Sequence, residues 1–367
     1  MKVLLVSLYF VEYALELANA LGKNNRVHLL LLKNRVHQTI GANQLNGKLS
    51  NNVTYTLLPY RSFRHPSILR VLFSILNLHF SFKPDVVHVQ ECNNPLNLLF
   101  FLFKFKPVVT TVHDVVLHPG TEASTIKSWR FLVGKKLREH TYNKIIVHGE
   151  KLKRLFLSNN KRLDQDVFVI PHGCLFTFPQ YKNENVREEP HTVLFFGRIE
   201  KYKGLKYLIE AEPLVSKILP DFKIIVAGRG EDVKTHRAKL LSNPHFELHD
   251  RFIPNDEVAH LFQRASAVVL PYIEASQSGI AAMAFAFGKP VISTNVGSLA
   301  EMIEHKITGI IIPPKDKLAL SKAIIKILSD TQQRLYLSDN AQKASLTKFC
   351  WDNIAKLTGK VYKKAVE

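Results

Sequence analysis

The sequence predicts an α/β protein made of two doubly wound, parallel-sheet domains, and three observations carry that prediction. Short β-branched runs alternate with helix-length segments from one end of the 367 residues to the other. The runs are apolar on both faces, as strands of a parallel sheet covered by helices on both sides must be. Between residues 178 and 190 the alternation stops in a polar, aperiodic stretch, FPQYKNENVREEP, and then resumes.

In the first half, strands are predicted at residues 3–6, 27–32, 53–57, 86–89, 108–112, 145–147 and 167–170. Residues 13–21 are rich in helix formers, and Gly22 is expected to close that helix as a left-handed cap, where glycine meets least strain. After a linker at about 173–190, strands are predicted at 193–196, 224–227, 246–249, 267–270, 291–293 and 310–312. No short fixed repeat appears, which excludes a solenoid. The domains are predicted as residues 1–172 and 173–345, with residues 346–367 forming a helix that crosses back to the first. In doubly wound sheets ligands lie outside the carboxyl ends of the strands, here in the cleft between the domains.

Composition narrows the function. Hydrophobic residues make up 46% and charged residues 22%, which excludes a disordered chain. Fifty Lys and Arg against 31 acidic residues leave a charge of +19. That calls for an anionic partner: nucleic acid, a membrane surface or a phosphorylated substrate. Cys92, Cys174 and Cys350 show neither metal-ligand spacing nor a disulfide framework, which points to a reducing cytoplasm. The first apolar run is short, lacks a small-residue cleavage site and is read as a buried strand. The apolar stretches 68–80 and 96–103 are interrupted by Arg70 and ended by Lys104, so neither is expected to span a bilayer.

The chemistry concentrates at strand ends of the second half. Residues 195–204, FFGRIEKYKG, run from a strand through a basic loop into a helix marked by Leu205, Leu208 and Ile209. Gly197 allows close backbone approach, Arg198 can make paired hydrogen bonds to phosphate, and Lys203 adds a charge near a helix N-terminus. Both basic residues are expected on a solvent-facing loop, and such a loop taken alone reads equally as a solvated surface. Residues 226–230, VAGRG, end another strand in a glycine turn that lacks the third glycine of a dinucleotide fingerprint. Residues 270–279, LPYIEASQSG, lead into a small-residue helix. There Ser276, Gln277, Ser278 and Gly279 offer backbone N–H groups to an anion. Ala281, Ala282, Ala284 and Ala286 read as packing residues. Residues 287–297, FGKPVISTNVG, and Glu301 follow.

These elements, in this order, resemble glycosyltransferase family 4, whose members have the GT-B fold of two Rossmann-like domains. The resemblance covers nearly the whole chain and is densest from 193 to 313. The family's G-x-R…K-G element matches Gly197, Arg198, Lys203 and Gly204. Its G-x-P-V-I…G…E element matches Gly288, Pro290, Val291, Ile292, Gly297 and Glu301, with Gly309 beyond. In the first half, residues 84–91 (PDVVHVQE), 111–114 (TVHD) and 169–173 (VIPHG) resemble three family strand ends. Such a set in order is far more specific than any one member.

The resemblance implies a retaining, metal-independent transfer of a hexose-like sugar from a UDP- or GDP-sugar, with no cofactor. Arg198 and Lys203 would neutralise the departing diphosphate, and His113 would face the donor sugar. Arg251, Phe252 and Ile253 would lie beside the base, and Glu301 beside the ribose or in the adjoining loop. Two departures stand out. Of the family's two glutamates eight positions apart, Glu274 serves as the first, but position 282 is alanine, and counting back from Gly288 puts Met283 in place of the second. The closest match is a subgroup with Ser-Gln-Ser-Gly here. The loop Leu8-Tyr-Phe-Val-Glu12, in the position that faces the acceptor, lacks the usual glycine pair.

The basic charge concentrates in the first half. Residues 126–138 place Ile126, Trp129, Leu132, Val133 and Leu137 on one helical face and Lys127, Arg130, Lys135 and Arg138 on another. Arg61, Arg64 and Arg70 surround the Phe-rich segment 68–82. A basic, aromatic surface suits the headgroup region of an anionic bilayer. It points to a lipid-linked glycan acceptor and a peripheral place on the inner face of the cell membrane. A merely solvated face is the plain alternative. Two other function classes stay open: a basic nucleic-acid-binding protein, although no such motif is present and no nucleic acid is expected, and a catalytically weak donor-binding partner.

Overall fold

The computed structural model describes residues 1–40, 45–60, 65–90, 106–115, 143–175, 179–275 and 277–367. Cys92, Ser276, Arg61, Arg64 and the basic segment 126–138 lie outside them. The chain divides into two compact units. Described residues up to Pro171, together with Trp351–Glu367, form the first, and His172–Cys350 belong to the second.

The first unit holds a seven-stranded sheet with all neighbouring pairs parallel. Its strands are β1 (Lys2–Ser7), β2 (Arg26–Leu32), β3 (Val53–Leu58), β4 (Val86–Gln90), β5 (Val108–Val112), β6 (Lys144–Val147) and β7 (Val167–Val169). Their order is β3-β2-β1-β4-β5-β6-β7, so the winding reverses between β1 and β4, the switch point where ligands collect in such sheets. The last helix, Trp351–Val366, packs in this unit and buries Trp351, Ile354, Val361 and Tyr362.

The second unit holds a six-stranded parallel sheet of β8 (Thr192–Phe196), β9 (Lys223–Ala227), β10 (Phe246–His249), β11 (Ala267–Leu270), β12 (Val291–Thr294) and β13 (Gly309–Ile312). The order is β10-β9-β8-β11-β12-β13, with the reversal between β8 and β11. Alternate side chains enter opposite cores. Leu194, Ile225 and Val268 join one apolar cluster, while Val193, Ile224 and Val269 join the other. That explains why these strands read as continuous apolar runs.

Every predicted strand is present, with ends within one residue. Gly22 is a correction. It is the last residue of the helix Val11–Gly22, and the chain leaves it through a right-handed Lys23 at φ −59°. A Cβ on Gly22 would stand 2.8 Å from Cγ2 of Val53 and 2.9 Å from Oγ of Ser50. Close approach, not handedness, requires glycine here. Among the described residues no helix is long and apolar enough to cross a membrane.

Candidate functional site

Glycines bring the strand ends of the second unit together. Gly197, at φ +105°, follows β8 and donates its N–H to Ala227 O at 2.9 Å. Two residues on, Ile199 N–H donates to Arg229 O at 2.9 Å. A Cβ on Gly228 would fall 2.0 Å from Gly197 O, and one on Gly230 would fall 1.9 Å from Ile199 O. The VAGRG turn is therefore built for one loop to lie on another. Gly204, at φ +73°, starts the helix Leu205–Ser216, and its missing Cβ leaves room for Pro271 O. Ile273 N–H donates to Tyr202 O at 2.7 Å, so the loops after β8 and β11 are joined.

Lys203 lies at this junction. Its burial corrects the expected solvent-facing position, for only 7% of the residue is exposed. The loop folds inward because a single 3-10 turn, Lys201–Lys203, seats it under the ring of Tyr272, with Nζ 5.3 Å from the ring centroid. Burial lowers the ammonium to a pKa of about 8. The Tyr202 phenol opposes that shift, and Arg198 adds to it. Arg198 itself is exposed and shares a side-chain hydrogen bond with Tyr202. A buried cation whose charge costs free energy is relieved by an anion. The position of a Gly197 Cβ is 3.1 Å from Lys203 Nζ and 3.4 Å from Cδ1 of Ile280. Gly197, Lys203 and the start of the helix Gly279–Ala286 therefore converge.

Around that helix start, Ser278 is buried, and Gln277 Oε1 is buried without a hydrogen-bond partner among the described residues. His172, in the second unit, lies with Cε1 3.9 Å from the position of a Gly279 Cβ. Glu274 is exposed on the loop joined to Tyr202. Ala282 and Met283, which stand where the resemblance implies a second carboxylate, are buried. Glu301 accepts a hydrogen bond from Ser298 Oγ at 3.1 Å. Arg251 pairs with Glu257, Phe252 is exposed, and Ile253 enters the core. Tyr202, Tyr272 and His172 carry parts of this geometry that the sequence reading did not assign. Their one sequence signal is that each stands at or next to a strand-end motif.

In the first unit His113 follows β5 and is buried. Both ring nitrogens are engaged: Nε2 lies 2.8 Å from Gln90 Oε1 and Nδ1 lies 3.1 Å from His148 Nε2. Among the described residues no three His, Cys, Asp or Glu side chains gather as a metal ion would require.

Comparison with known proteins accords with the two parallel-sheet units. Residues 11–174 match the family model described as Glycosyltransferase Family 4, and residues 178–344 match Glycosyl transferases group 1. The uncharacterized glycosyltransferase MJ1607 of Methanocaldococcus jannaschii is 36% identical over 187 residues, 50% of this chain. The match covers 47% of that relative, so the chain spans about half its length. In structure, the chain is similar to sucrose-phosphate synthase from Thermosynechococcus elongatus, with a TM-score of 0.75 at 18% identity over 99% of this chain and 98% of that one. It is also similar to Anabaena Alr3699/HepE, solved in complex with UDP-glucose, with a TM-score of 0.72 at 16% identity over 99% and 100% of the two chains.

Proposed function

We propose a sugar-transfer reaction for this chain, which is a family 4-like glycosyltransferase of the two-domain GT-B fold. The donor is a nucleoside-diphosphate sugar, UDP- or GDP-linked, bound by the second domain, and the first domain receives a glycan acceptor. The observation that carries this reading is the buried Lys203 ammonium beside Gly197 and the helix start at Gly279. As the bond from the sugar's anomeric carbon to the diphosphate oxygen breaks, that oxygen gains negative charge. Lys203, Arg198 and the helix N–H groups neutralise it without a metal ion. Because the groups are in place beforehand, no reorganisation is needed as charge develops.

The remaining assignments follow the same reading. Configuration is retained, with the acceptor oxygen arriving on the face the diphosphate leaves. Gln277 Oε1, a buried acceptor with no donor among the described residues, suits a sugar or ribose hydroxyl. Glu274 and His113 are assigned to the sugar, Arg251, Phe252 and Ile253 to the base, and Glu301 to the ribose. Ser276, Ser278 and Gly279 are assigned to the diphosphate.

The acceptor is a lipid-linked glycan, met at the cytoplasmic face of an anionic membrane. Support comes from the helix Ser67–Phe82, which leaves Leu69, Phe73, Leu76 and Phe80 about half to three-quarters exposed on one face. No acidic residue occurs between Arg61 and Pro84, as an anionic surface favours.

Thermal unfolding with nucleoside diphosphates and their sugars tests the proposal. At a ligand concentration of a hundred times Kd, binding adds about 2.7 kcal/mol of stability. UDP or GDP should therefore raise the melting temperature in the presence of EDTA. Absence of any shift with either nucleotide contradicts the donor assignment.

A further inference from the structure

We propose that His148 and Gln90 are positioning residues for His113: His148 fixes a proton on its Nδ1, and the Gln90 amide governs what its Nε2 carries. The functional consequence rests on the assignment of His113 to the donor sugar. β4, β5 and β6 are neighbours, and Val112 pairs with Val147. His113 and His148 thus leave adjacent strands in register.

The proton positions follow from chemistry. His148 Nδ1 lies 2.9 Å from Ile170 O; a carbonyl only accepts, so this nitrogen carries the proton. Burial lowers His148 to a pKa of about 4, leaving a neutral ring whose Nε2 accepts. His113 Nδ1, 3.1 Å away, therefore donates. That directs His113 Nε2 at the Gln90 amide.

An amide offers an oxygen or an NH2 group. With the oxygen toward His113, Nε2 must be protonated and the ring is an imidazolium; the amide nitrogen then reaches His88 Nε2 at 3.3 Å. With the amide turned over, Nε2 accepts and His113 is neutral. The row continues to Tyr362 Oη, 2.6 Å from His88 Nδ1, and to Thr111 Oγ1, 2.8 Å from His88 Nε2. Rotation of Gln90 can thus accompany gain or loss of one proton without moving the ring. Phe10, at 4.0 Å between centroids, and the edge contact with Tyr13 at 4.9 Å hold the ring in place.

The test combines ring 15N NMR of histidine-labelled protein with turnover. His148→Phe removes the acceptor and His148→Gln keeps one, while Gln90→Leu removes the polar partner and Gln90→Glu leaves only an acceptor. His148→Phe should abolish the Nδ1–H signature of His113. It should also lower kcat by about tenfold or more with little change in donor KM, the scale on which losing an orienting partner weakens a metal-binding histidine. His148→Gln should restore both in part, and Gln90→Glu should hold both ring nitrogens protonated. An unchanged 15N pattern in His148→Phe and Gln90→Leu, or no rescue by glutamine, overturns the proposal. If His113→Ala keeps parental turnover, the sugar assignment fails instead, and the 15N pattern still decides the positioning roles.

Discussion

The ammonium of Lys203 lies 3.1 Å from the point where a Cβ on Gly197 would stand. Gly197 also adopts φ +105°, where a side chain adds strain of about 1–3 kcal/mol. Gly197→Ala should leave the protein folded at a lower melting temperature, because the ammonium ends a flexible side chain and can shift. Nucleoside-diphosphate affinity should fall at least about tenfold, or 1.4 kcal/mol. Calorimetric titration checks this, and parental affinity would show that the ammonium does not meet the ligand.

Burial of Lys203 sets stability against binding. Replacing a buried, poorly compensated charge with an apolar chain of similar length removes its desolvation cost. Lys203→Met should therefore melt higher than the parent without ligand, yet gain nothing from UDP or GDP. A melting temperature below the parent's would mean that the charge is already satisfied within the protein.

The same residue predicts a pH dependence. Its folded pKa of about 8 lies below the ordinary 10.5, so the cost of charging it is fully present below pH 8. As pH rises from about 8 to 10.5 the folded protein has released a proton that the unfolded chain still holds, and this contribution to stability increases. Diphosphate favours the charged form, so binding above pH 8 should take up a proton and weaken by at most about tenfold per pH unit. Titrations in buffers of different ionisation enthalpy measure that uptake. Proton release on binding would contradict it.

Strands were legible in the sequence because both faces are buried, as in Val268 and Val269, which enter opposite cores. The strand-end motif at 197–204 was legible because its glycines and cations interrupt apolar runs. The burial of Lys203 was not: its neighbours Lys201, Tyr202 and Gly204 read as a polar loop, and the ring that covers it comes from Tyr272. The role of Gly22 was hidden for the same reason, since Val53 of β3 and Ser50 just before that strand approach it from about thirty residues further along the chain. The bond between His88 and Tyr362 joins residues 274 positions apart, a distance no local pattern spans.

The exposed stripe Leu69, Phe73, Leu76 and Phe80 predicts association with vesicles containing anionic lipid, released by salt. Near such a surface each Lys or Arg contributes about 1 kcal/mol. Changing the four apolar residues to serine, or Lys127, Arg130, Lys135 and Arg138 to glutamate, should abolish co-sedimentation and leave UDP or GDP binding unchanged. Parental vesicle binding in both variants would make these surfaces merely solvated. Salt-sensitive binding to DNA instead would favour a nucleic-acid partner.

Activation of a nucleoside-diphosphate sugar by Lys203 and Arg198 of the second domain is the core of the proposed function. Its most direct measurement is the rate of nucleoside-diphosphate release from UDP- and GDP-sugars in EDTA, for the parent protein and for Arg198→Ala. Release by the parent with at least one sugar, and release about a hundredfold slower or worse in the variant, is the predicted result. No release with any donor, release only when Mg²⁺ or Mn²⁺ is restored, or equal rates in parent and variant would contradict it.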